Sequence, residues 1–478
     1  MTGCLGHFDA IVGNPPWVDW KNLPAGYREK IKSVCVDRGL FSGDGFTGGI
    51  NLNVCALISH VAMTNWLSEK GRLCFLMPRE LTVQQSYQGW RNLRSVPPRY
   101  FEQFHDWSSA GHPFDPVKED FLTYIIGPTK AANNQVPVTI HQKRLKDRSR
   151  AHLWQSLPEA LEHLEEHESV AGQISFNSTA FTFASDKETL KKYAVIAGQC
   201  SYIGREGVEF YPQEVQLFLY EAEGPSPDVV LLKNMQFAKS KYKIPHQNVP
   251  IETRYLFPLV KGSAIKPFKH DYEGVIVPFP YESSDPRRPI TLNELEANSP
   301  LLLDYYQENR DVIKAQTPFS DKIRGKDAGE FYGLARTGAY SFAKVWVVFR
   351  DNTRWCSAVI TDTDMPWGEN KSFCFQNHAV SMCERLNGGF ITVDEAHYIC
   401  AILNAPIVEQ FIGAGSDARS YKIRPTIYVP TYDPRDIRHQ RLSELSQEAH
   451  ADETRIEEVR AEAETLYLAI CANKPKNY

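Results

Sequence analysis

Segments with the apolar period of a strand alternate with segments of helical period over residues 7–127, and this alternation constrains the fold more than any other feature. The pattern predicts strands over residues 7–13, 72–77, 100–106 and 121–127, and helices over residues 51–70 and 84–93. Gly71 marks the predicted end of the first helix. Strands that alternate with helices are typical of an α/β fold in which helices cover a mostly parallel sheet.

The sequence changes in character twice after this region. Dense charges at residues 141–150, followed by a stretch rich in Pro, Gly and aromatic residues, predict a mixed α+β domain over residues 136–435. From Ile437 to Ala472 there is no Gly or Pro, and apolar residues recur at steps of three, four or seven. This period predicts one long amphipathic helix, or two in tandem, within residues 436–478. Such a helix either lies on its own domain or forms a coiled contact with a partner.

Composition narrows the class of protein. Lys and Arg total 53 against 58 Asp and Glu, which gives a net charge of −5, so the chain as a whole is not a basic nucleic-acid binder. One cleft can nevertheless be positive. No apolar run reaches the roughly 18 residues of a membrane span, and no secretory signal is visible at the start. The ten cysteines stand singly, so we expect buried reduced thiols, no metal site and a cytoplasmic location.

The tetrapeptide Asn14-Pro15-Pro16-Trp17 follows directly on the first strand candidate, FDAIVG. Two successive prolines restrict the backbone and cannot continue a strand, so they predict a stiff loop at its carboxyl end. This loop carries an amide side chain and an aromatic ring. The alternative interpretation is a rigid turn with a packing tryptophan.

The same tetrapeptide after an FDxIVG strand resembles motif IV of the amino-methylating DNA adenine methyltransferases. Two further segments, GRLCFLMP (71–78) and FLTYIIG (121–127), resemble sheet strands that these enzymes carry after that motif. The later region resembles the recognition domain of the large adenine methylases of restriction-modification systems, at GREGV (204–208), YLFPLVKG (255–262) and AILNA (401–405). The motif is the specific part of this resemblance.

The resemblance implies an architecture and an activity. It implies part of a Rossmann-like methyltransferase sheet over residues 1–135, a target-recognition domain over residues 136–435 and a C-terminal helix after it. The implied activity is N6 methylation of adenine at a specific sequence of double-stranded DNA, with S-adenosylmethionine as donor. The implied setting is a restriction-modification or phage-defence system.

The chemistry of adenine gives each residue of the tetrapeptide a catalytic role. The exocyclic amine is a poor nucleophile because its lone pair is delocalised into the ring. Hydrogen-bond acceptors for both N–H groups would localise that pair, and we assign them to the Asn14 side-chain oxygen and the Pro15 carbonyl. Pro15 and Pro16 preorganise these acceptors. The base must leave the duplex to reach them, and Trp17 is expected to stack on the flipped base.

The donor-binding half is expected outside this chain. Members of the family carry a Gly-rich donor loop and an acidic ribose-binding residue before motif IV, whereas only residues 1–13 precede Asn14 here. The Gly-rich segment 42–49 (SGDGFTGG) follows the catalytic loop and lacks a preceding strand, so it is no substitute. We therefore expect a protein partner, or a missing N-terminal half, to bind S-adenosylmethionine.

Basic residues on loops are the candidates for contacts with DNA phosphates, which position a duplex without reading its sequence. For each cluster, the alternative is an ordinary solvated surface. The predicted DNA-binding residues are Arg205, Lys261, Lys266, Arg336, Lys344, Arg350, Arg419 and Lys422.

Two other functions stay open. The chain could be a non-catalytic DNA-specificity subunit, or a truncated and inactive fragment that retains the motif. It could also methylate protein glutamine or RNA, because related enzymes use Asn-Pro-Pro-Tyr. The large recognition-like region after residue 150 argues against this last function.

Overall fold

The computed structural model describes residues 7–41, 52–111, 114, 119–174, 178–238, 241–244, 246–315, 329–350, 354–415 and 424–475. The chain divides into two compact units. One unit comprises Met1–Gly198 and Phe411–Asp417, and the other comprises Gln199–Gln410 and Ala418–Tyr478.

A seven-stranded sheet forms the first unit. Its strands are β1 (Phe8–Gly13), β2 (Leu67–Pro78), β3 (Tyr100–Asp106), β4 (Phe121–Gly127), β5 (Gln135–Lys143), β6 (Leu164–Gly172) and β7 (Thr182–Ala184), in the order β1-β2-β4-β3-β5-β6-β7. The pairs β1–β2 and β3–β5 are parallel, and the other four pairs are antiparallel. The prediction of a mostly parallel sheet is therefore wrong. Parallel neighbours need a long crossover, usually a helix, and no described helix lies between β3 and β4.

The first unit extends well beyond the boundary predicted at 135/136. β5 begins at Gln135 and pairs with β3, and β6 and β7 then continue the same sheet. The division at Gly198 follows from this pairing. The charged run at residues 141–150 was one basis for the predicted boundary, but its first residues are the end of β5.

Five helices of the first unit lie between these strands, and a sixth follows β7. They are α1 (Ala25–Asp37), α2 (Val54–Asn65), α3 (Glu80–Val83), α4 (Gln88–Arg91), α5 (Leu157–His163) and α6 (Lys187–Ile196), with short 3₁₀ turns at Trp20–Asn22, Gln85–Tyr87, Ala132–Asn134 and Ala151–Leu153. The Asn53 side chain accepts a hydrogen bond from the Cys55 amide and caps the start of α2.

Gly71 does not end α2 as the sequence predicted, because the helix ends at Asn65 and β2 begins at Leu67. A Cβ atom at Gly71 would lie 2.7 Å from the backbone oxygen of Phe8. The absence of a side chain at Gly71 therefore permits the backbone of β1 to approach β2 closely, which is a common reason for glycine in a strand.

The second unit is built from several smaller sheets. A six-stranded sheet has the order β11-β10-β9-β15-β12-β22, a four-stranded sheet has the order β19-β18-β23-β8, and β13–β14, β16–β17 and β20–β21 form two-stranded ribbons. These strands are β8 (Tyr202–Arg205), β9 (Phe218–Glu223), β10 (Val229–Asn234), β11 (Val249–Glu252), β12 (Leu256–Val260), β13 (Ile265–Lys266), β14 (Lys269–His270), β15 (Val275–Pro278), β16 (Tyr281–Glu282), β17 (Asp285–Pro289), β18 (Trp346–Arg350), β19 (Ser357–Ile360), β20 (Asp362–Asp364), β21 (Asn370–Ser372), β22 (Cys374–Phe375) and β23 (Ala379–Arg385). This mixture of short strands and helices agrees with the predicted α+β character.

The helices outside the first sheet are α7 (Gln213–Gln216), α8 (Leu292–Asn298), α9 (Pro300–Glu308), α10 (Val393–Leu403), α11 (Pro406–Ala414), α12 (Ile437–Ala451) and α13 (Ile456–Cys471), and residues 310–315 are also helical. 3₁₀ turns lie at Thr253–Tyr255, Gly262–Ala264, Ala339–Phe342 and Glu453–Arg455. None of the described helices is both long and apolar enough to cross a membrane.

The C-terminal segment forms two helices rather than one long helix. α12 ends before Asp452, whose side chain accepts from the Thr454 amide and begins the next turn. The two helices are antiparallel, because the Arg441 guanidinium donates to the Glu462 carboxylate across them. Leu442, Leu445 and Ala449 are fully buried within the second unit. The segment therefore packs on its own unit, as two helices in tandem.

Candidate catalytic loop and DNA-contact residues

Asn14 lies at the carboxyl end of β1, immediately after the parallel pairing of Gly13 with Phe75. Asn14 and Pro16 are exposed, Pro15 is buried and Trp17 is half-buried. The Asn14 side chain makes no hydrogen bond with a described residue, and the Pro15 carbonyl accepts none from one. Within the described part of the chain, these two neighbouring oxygens therefore have no hydrogen-bond donor, and the Asn14 side chain is exposed.

Trp17 is fixed by contacts from both β2 and β4. Its indole N–H donates to the Leu76 carbonyl at 3.2 Å. Its ring lies 5.6 Å from that of Phe121 and 6.3 Å, edge to face, from that of Phe114. Because the indole is only half-buried among these rings, part of its surface is free for a further stacking partner.

The chain just beyond the loop is tied to the start of α2. The Val54 amide donates to the Val18 carbonyl at 2.9 Å, and the Trp20 amide donates to the Leu52 carbonyl at 2.8 Å. The Asn53 amide group also donates to the Asp19 carboxylate. The tetrapeptide is thus held at both ends, by β1 before it and by these bonds after it, which preorganises its acceptors.

Two of the predicted DNA-contact arginines lie on the same part of the second unit, and each is paired with carboxylates. Arg205 on β8 donates to Glu384 at 2.9 Å, and its guanidinium lies 5.2 Å from the ring centre of Tyr340. Arg336 contacts Glu206 at 2.7 Å and the buried Glu209 at 3.3 Å. Burial raises the pKa of Glu209, and the charge of Arg336 opposes that rise.

The two predicted lysines around β13 are also paired with acidic residues. Lys261 contacts Glu273 at 3.5 Å, and Lys266 contacts Asp271 at 2.5 Å. A cation that is already paired contributes less binding free energy to a phosphate contact, because it must first release its own partner. Sequence reasoning identified these cations but not the carboxylates that face them.

Lys344 differs from those four residues. It is exposed between the turn Ala339–Phe342 and β18, and it forms no ion pair with a residue that the structure describes. Arg350 is half-buried at the end of β18, where its backbone pairs with Ala379. Arg419 and Lys422, and the Gly-rich segment 42–49, lie outside the described residues.

No donor-binding residue is assigned. At the end of the sheet where Asn14 lies, no Gly-rich turn with a following acidic residue occurs among the described residues. These residues therefore do not fit S-adenosylmethionine. In the same described ranges, no three His, Cys, Asp or Glu side chains are grouped to hold a metal ion.

The contacts that fix Trp17 were missed by sequence reasoning. Leu76 and Phe121 were predicted only as strand residues, and Phe114 was not singled out. The hydrogen bond from Trp17 to Leu76 spans 59 residues. The one available signal was that aromatic residues recur just after predicted strands. This signal alone does not identify the residues that they contact.

Comparison with known proteins gives a likeness of fold. No known protein family matches the chain, and no curated protein is similar to it in sequence. Among solved structures, the type IIL restriction-modification enzyme MmeI in complex with DNA matches with a TM-score of 0.53 and 11% identity. The match covers 98% of this chain and 55% of the MmeI chain, so this chain spans about half the length of that enzyme.

Two further matches are more distant. A nuclease-deletion mutant of the type ISP restriction-modification enzyme LlaGI, in complex with a DNA substrate mimic, matches with a TM-score of 0.42 and 9% identity, over 93% of this chain and 35% of that one. The type IIG restriction endonuclease BpuSI matches with a TM-score of 0.29 and 12% identity, over 96% and 54%. The likeness of fold therefore rests on MmeI.

Proposed function

We propose that this chain carries the target-base loop and the DNA-recognition region of a site-specific DNA adenine N6-methyltransferase in a restriction-modification or phage-defence system. The observation that carries the proposal is the Asn14–Trp17 loop. It stands at the carboxyl end of a sheet strand with its amide side chain exposed, two oxygen acceptors that no described residue occupies, and a braced aromatic ring.

In this mechanism the target adenine leaves the duplex and its amino group enters the loop. Asn14 Oδ1 and Pro15 O accept the two N–H hydrogens, and this pairing favours a nitrogen with a localised lone pair. Trp17 stacks on the extruded base and compensates for part of the lost base stacking. S-adenosylmethionine, when bound, would supply the methyl group from its sulfonium and leave as S-adenosylhomocysteine, and the methylated amino group would lose one proton to solvent.

The likeness to MmeI supports this proposal at the level of architecture. That enzyme is a restriction-modification enzyme solved with DNA, and nearly all of this chain follows its fold. The position of the loop within a sheet unit, and the separate second unit with its cationic loops, agree with a division between base chemistry and DNA contact.

The exposed edge of the sheet supports the proposal that a further component binds the methyl donor. β1 is the last strand of the described sheet, and Phe8 and Val12 on it are 49% and 77% exposed. An exposed apolar edge strand is a template for pairing with another segment. We propose that the donor-binding part, on a partner protein or a further segment, adds strands beside β1.

Methyl transfer from labelled S-adenosylmethionine to duplex DNA tests the proposal. The protein is purified from its native host with any associated protein, and labelled DNA is digested to nucleosides. We expect the label in N6-methyladenine. Label in RNA or in protein glutamine would contradict the DNA substrate, and sequence-specific DNA binding without transfer would favour a specificity subunit.

Trp17→Ala should lower the fluorescence enhancement of 2-aminopurine placed at the target adenine. Stacking of a base on an aromatic side chain contributes about 1–3 kcal/mol, so the extruded population should fall about tenfold. Trp17→Phe keeps an aromatic ring but loses the bond to Leu76, and it should retain most of the enhancement. Wild-type enhancement in the alanine variant would exclude the stacking role.

Lys344→Ala should reduce the salt dependence of DNA binding. An unpaired lysine that neutralises one phosphate releases about one counterion, so the slope of log K against log salt should fall by about 0.9. Lys261→Ala is the matched control, because Lys261 is paired with Glu273 and should change the slope less. An equal change in both variants, or none in Lys344→Ala, would contradict this assignment.

A further inference from the structure

A cavity lies in the first unit, at the end of the sheet opposite the catalytic loop. Its volume is about 290 Å³, and its walls come from α4, the start of β3 and the segments that follow β4 and β6. In the pairing of β2 with β4, Pro78 lies opposite Phe121 at the end of the sheet that carries the catalytic loop. Tyr100, which lines the cavity, pairs with Gly127 at the other end of β4. The length of β4 separates the two sites by about 20 Å.

Three cationic side chains line this cavity, and no carboxylate does. They are Arg91, Arg99 and Lys130. Arg91 and Arg99 are 3% and 5% exposed, whereas Lys130 is exposed at the surface and pairs with no acidic group in the described ranges. Arginine is rarely buried this deeply without a charged partner.

The partners of Arg91 in the described part of the chain are all neutral. Its Nη1 donates to the carbonyls of Leu81 at 2.8 Å and Gln84 at 2.7 Å, and its Nε donates to the Thr179 hydroxyl at 3.2 Å. Its Nη2 is buried and has no hydrogen-bond partner among the described residues. Burial lowers the pKa of Arg91 to about 10. A buried cation without a counter-ion is costly, and a bound anion would offset that cost.

Arg99 is better compensated. It donates to the carbonyls of Glu69 and Gly71, and at 2.5 Å to that of Ser68. Burial lowers its pKa, and the nearby charges of Glu102 and Glu69 oppose this change. Arg99 therefore adds positive potential to the cavity, while Arg91 is the cation with no acidic partner among the described residues.

We propose that this cavity binds a small phosphate-bearing anion, either inorganic phosphate or a phosphate monoester. Its volume of about 290 Å³ is close to the lower limit of small-molecule sites. Phe101 and Phe181 also line it and offer apolar surface to an organic group. A duplex backbone does not reach guanidinium groups that are this deeply recessed, so the ligand is a free small molecule. The proposal is independent of methyl transfer.

Calorimetric titration of the full chain with adenosine monophosphate, inorganic phosphate and uncharged adenosine tests this site. We expect phosphate or the monophosphate to bind and adenosine not to bind. Equal affinities for the two anions assign the site to inorganic phosphate. Tighter binding of adenosine monophosphate assigns it to a phosphate ester. Binding of neither anion at millimolar concentration would overturn the proposal, and so would displacement of the bound anion by duplex DNA.

Lys130→Ala is the test variant, because Arg91 also holds the carbonyls of Leu81 and Gln84 and its loss could disturb the fold. Removal of one charge-assisted contact should weaken anion binding about tenfold. Lys187→Ala is the matched control. Lys187 is an exposed lysine that lines, with Lys130, a wider groove of about 820 Å³ but not the cavity of Arg91. Anion binding that responds to Lys187→Ala as strongly as to Lys130→Ala would place the ligand in the groove and overturn the proposal.

Discussion

Asn14→Ala is expected to lower the rate of methyl transfer by at least about 10²-fold, the usual effect of removing one preorganised polar group from a transition-state site. Asn14 Oδ1 is one of the two acceptors proposed for the amino group, and alanine leaves only the Pro15 carbonyl. DNA affinity should change little, because the loop supplies no phosphate contact in this account. The measurement is single-turnover transfer of a labelled methyl group, together with an equilibrium DNA-binding assay.

Asn22→Ala is the matched control for that experiment. Asn22 is an exposed asparagine in the 3₁₀ turn Trp20–Asn22, close to the loop in sequence but outside it. We expect wild-type transfer in this variant. If Asn14→Ala transferred methyl groups at the wild-type rate, its assigned role would be wrong. If it lost DNA binding to the same extent as transfer, Asn14 would be a DNA-contact residue instead.

Trp90→Ala is expected to destabilise the first unit by about 3–5 kcal/mol, the range for deleting a large buried aromatic side chain. The Trp90 ring is fully buried, 5.5 Å from Phe101 and 5.6 Å from Tyr124, so it joins α4 to β3 and β4. Its indole N–H also donates to the Ser59 hydroxyl on α2 at 2.9 Å. Its removal therefore leaves a cavity between three elements.

Hydrogen exchange of the amides in α2 and β3 measures this loss within the first unit alone. Trp66→Ala is the control, because Trp66 is 43% exposed at the end of α2 and should cost clearly less than the fully buried Trp90. Unchanged protection in Trp90→Ala would contradict the packing described for this sheet.

Local patterns in the sequence predicted the individual strands well. β3 and β4 have the predicted bounds, and β1 begins one residue later than predicted. Each strand carries an apolar face or an apolar run, and each ends at residues that break a strand, such as Pro78 or the Asn14-Pro15 step. These signals are contained within a few neighbouring residues.

Pairing between distant segments could not be predicted from the sequence. The direction of β4 between β2 and β3 depends on a connection without a helical pattern. The continuation of the sheet depends on the pairing of β5 with β3 and not with β4, the strand just before β5 in the chain. The pairing of charged residues on the second unit also depends on segments that are distant in the chain. Arg205 faces Glu384, which lies 179 residues away in the chain, so a basic residue in a loop cannot be assumed to be free.

The loop itself was the most predictable part of the candidate site. Asn14, Pro15, Pro16 and Trp17 are adjacent, and two prolines fix their backbone whatever surrounds them. The partners that brace Trp17 come from β2 and β4, and no local pattern identifies them. The cations around the Arg91 cavity were missed for the same reason, because they meet only through the folded sheet.

A structure of the protein, in the assembly that transfers the methyl group, bound to its cognate duplex tests the central claim most directly. The account predicts that the target adenine is extruded and that its N6 atom lies within about 3.2 Å of both Asn14 Oδ1 and Pro15 O, with the base against the Trp17 ring. A target adenine that stays stacked in the duplex, or whose amino group bonds to other residues, would contradict it.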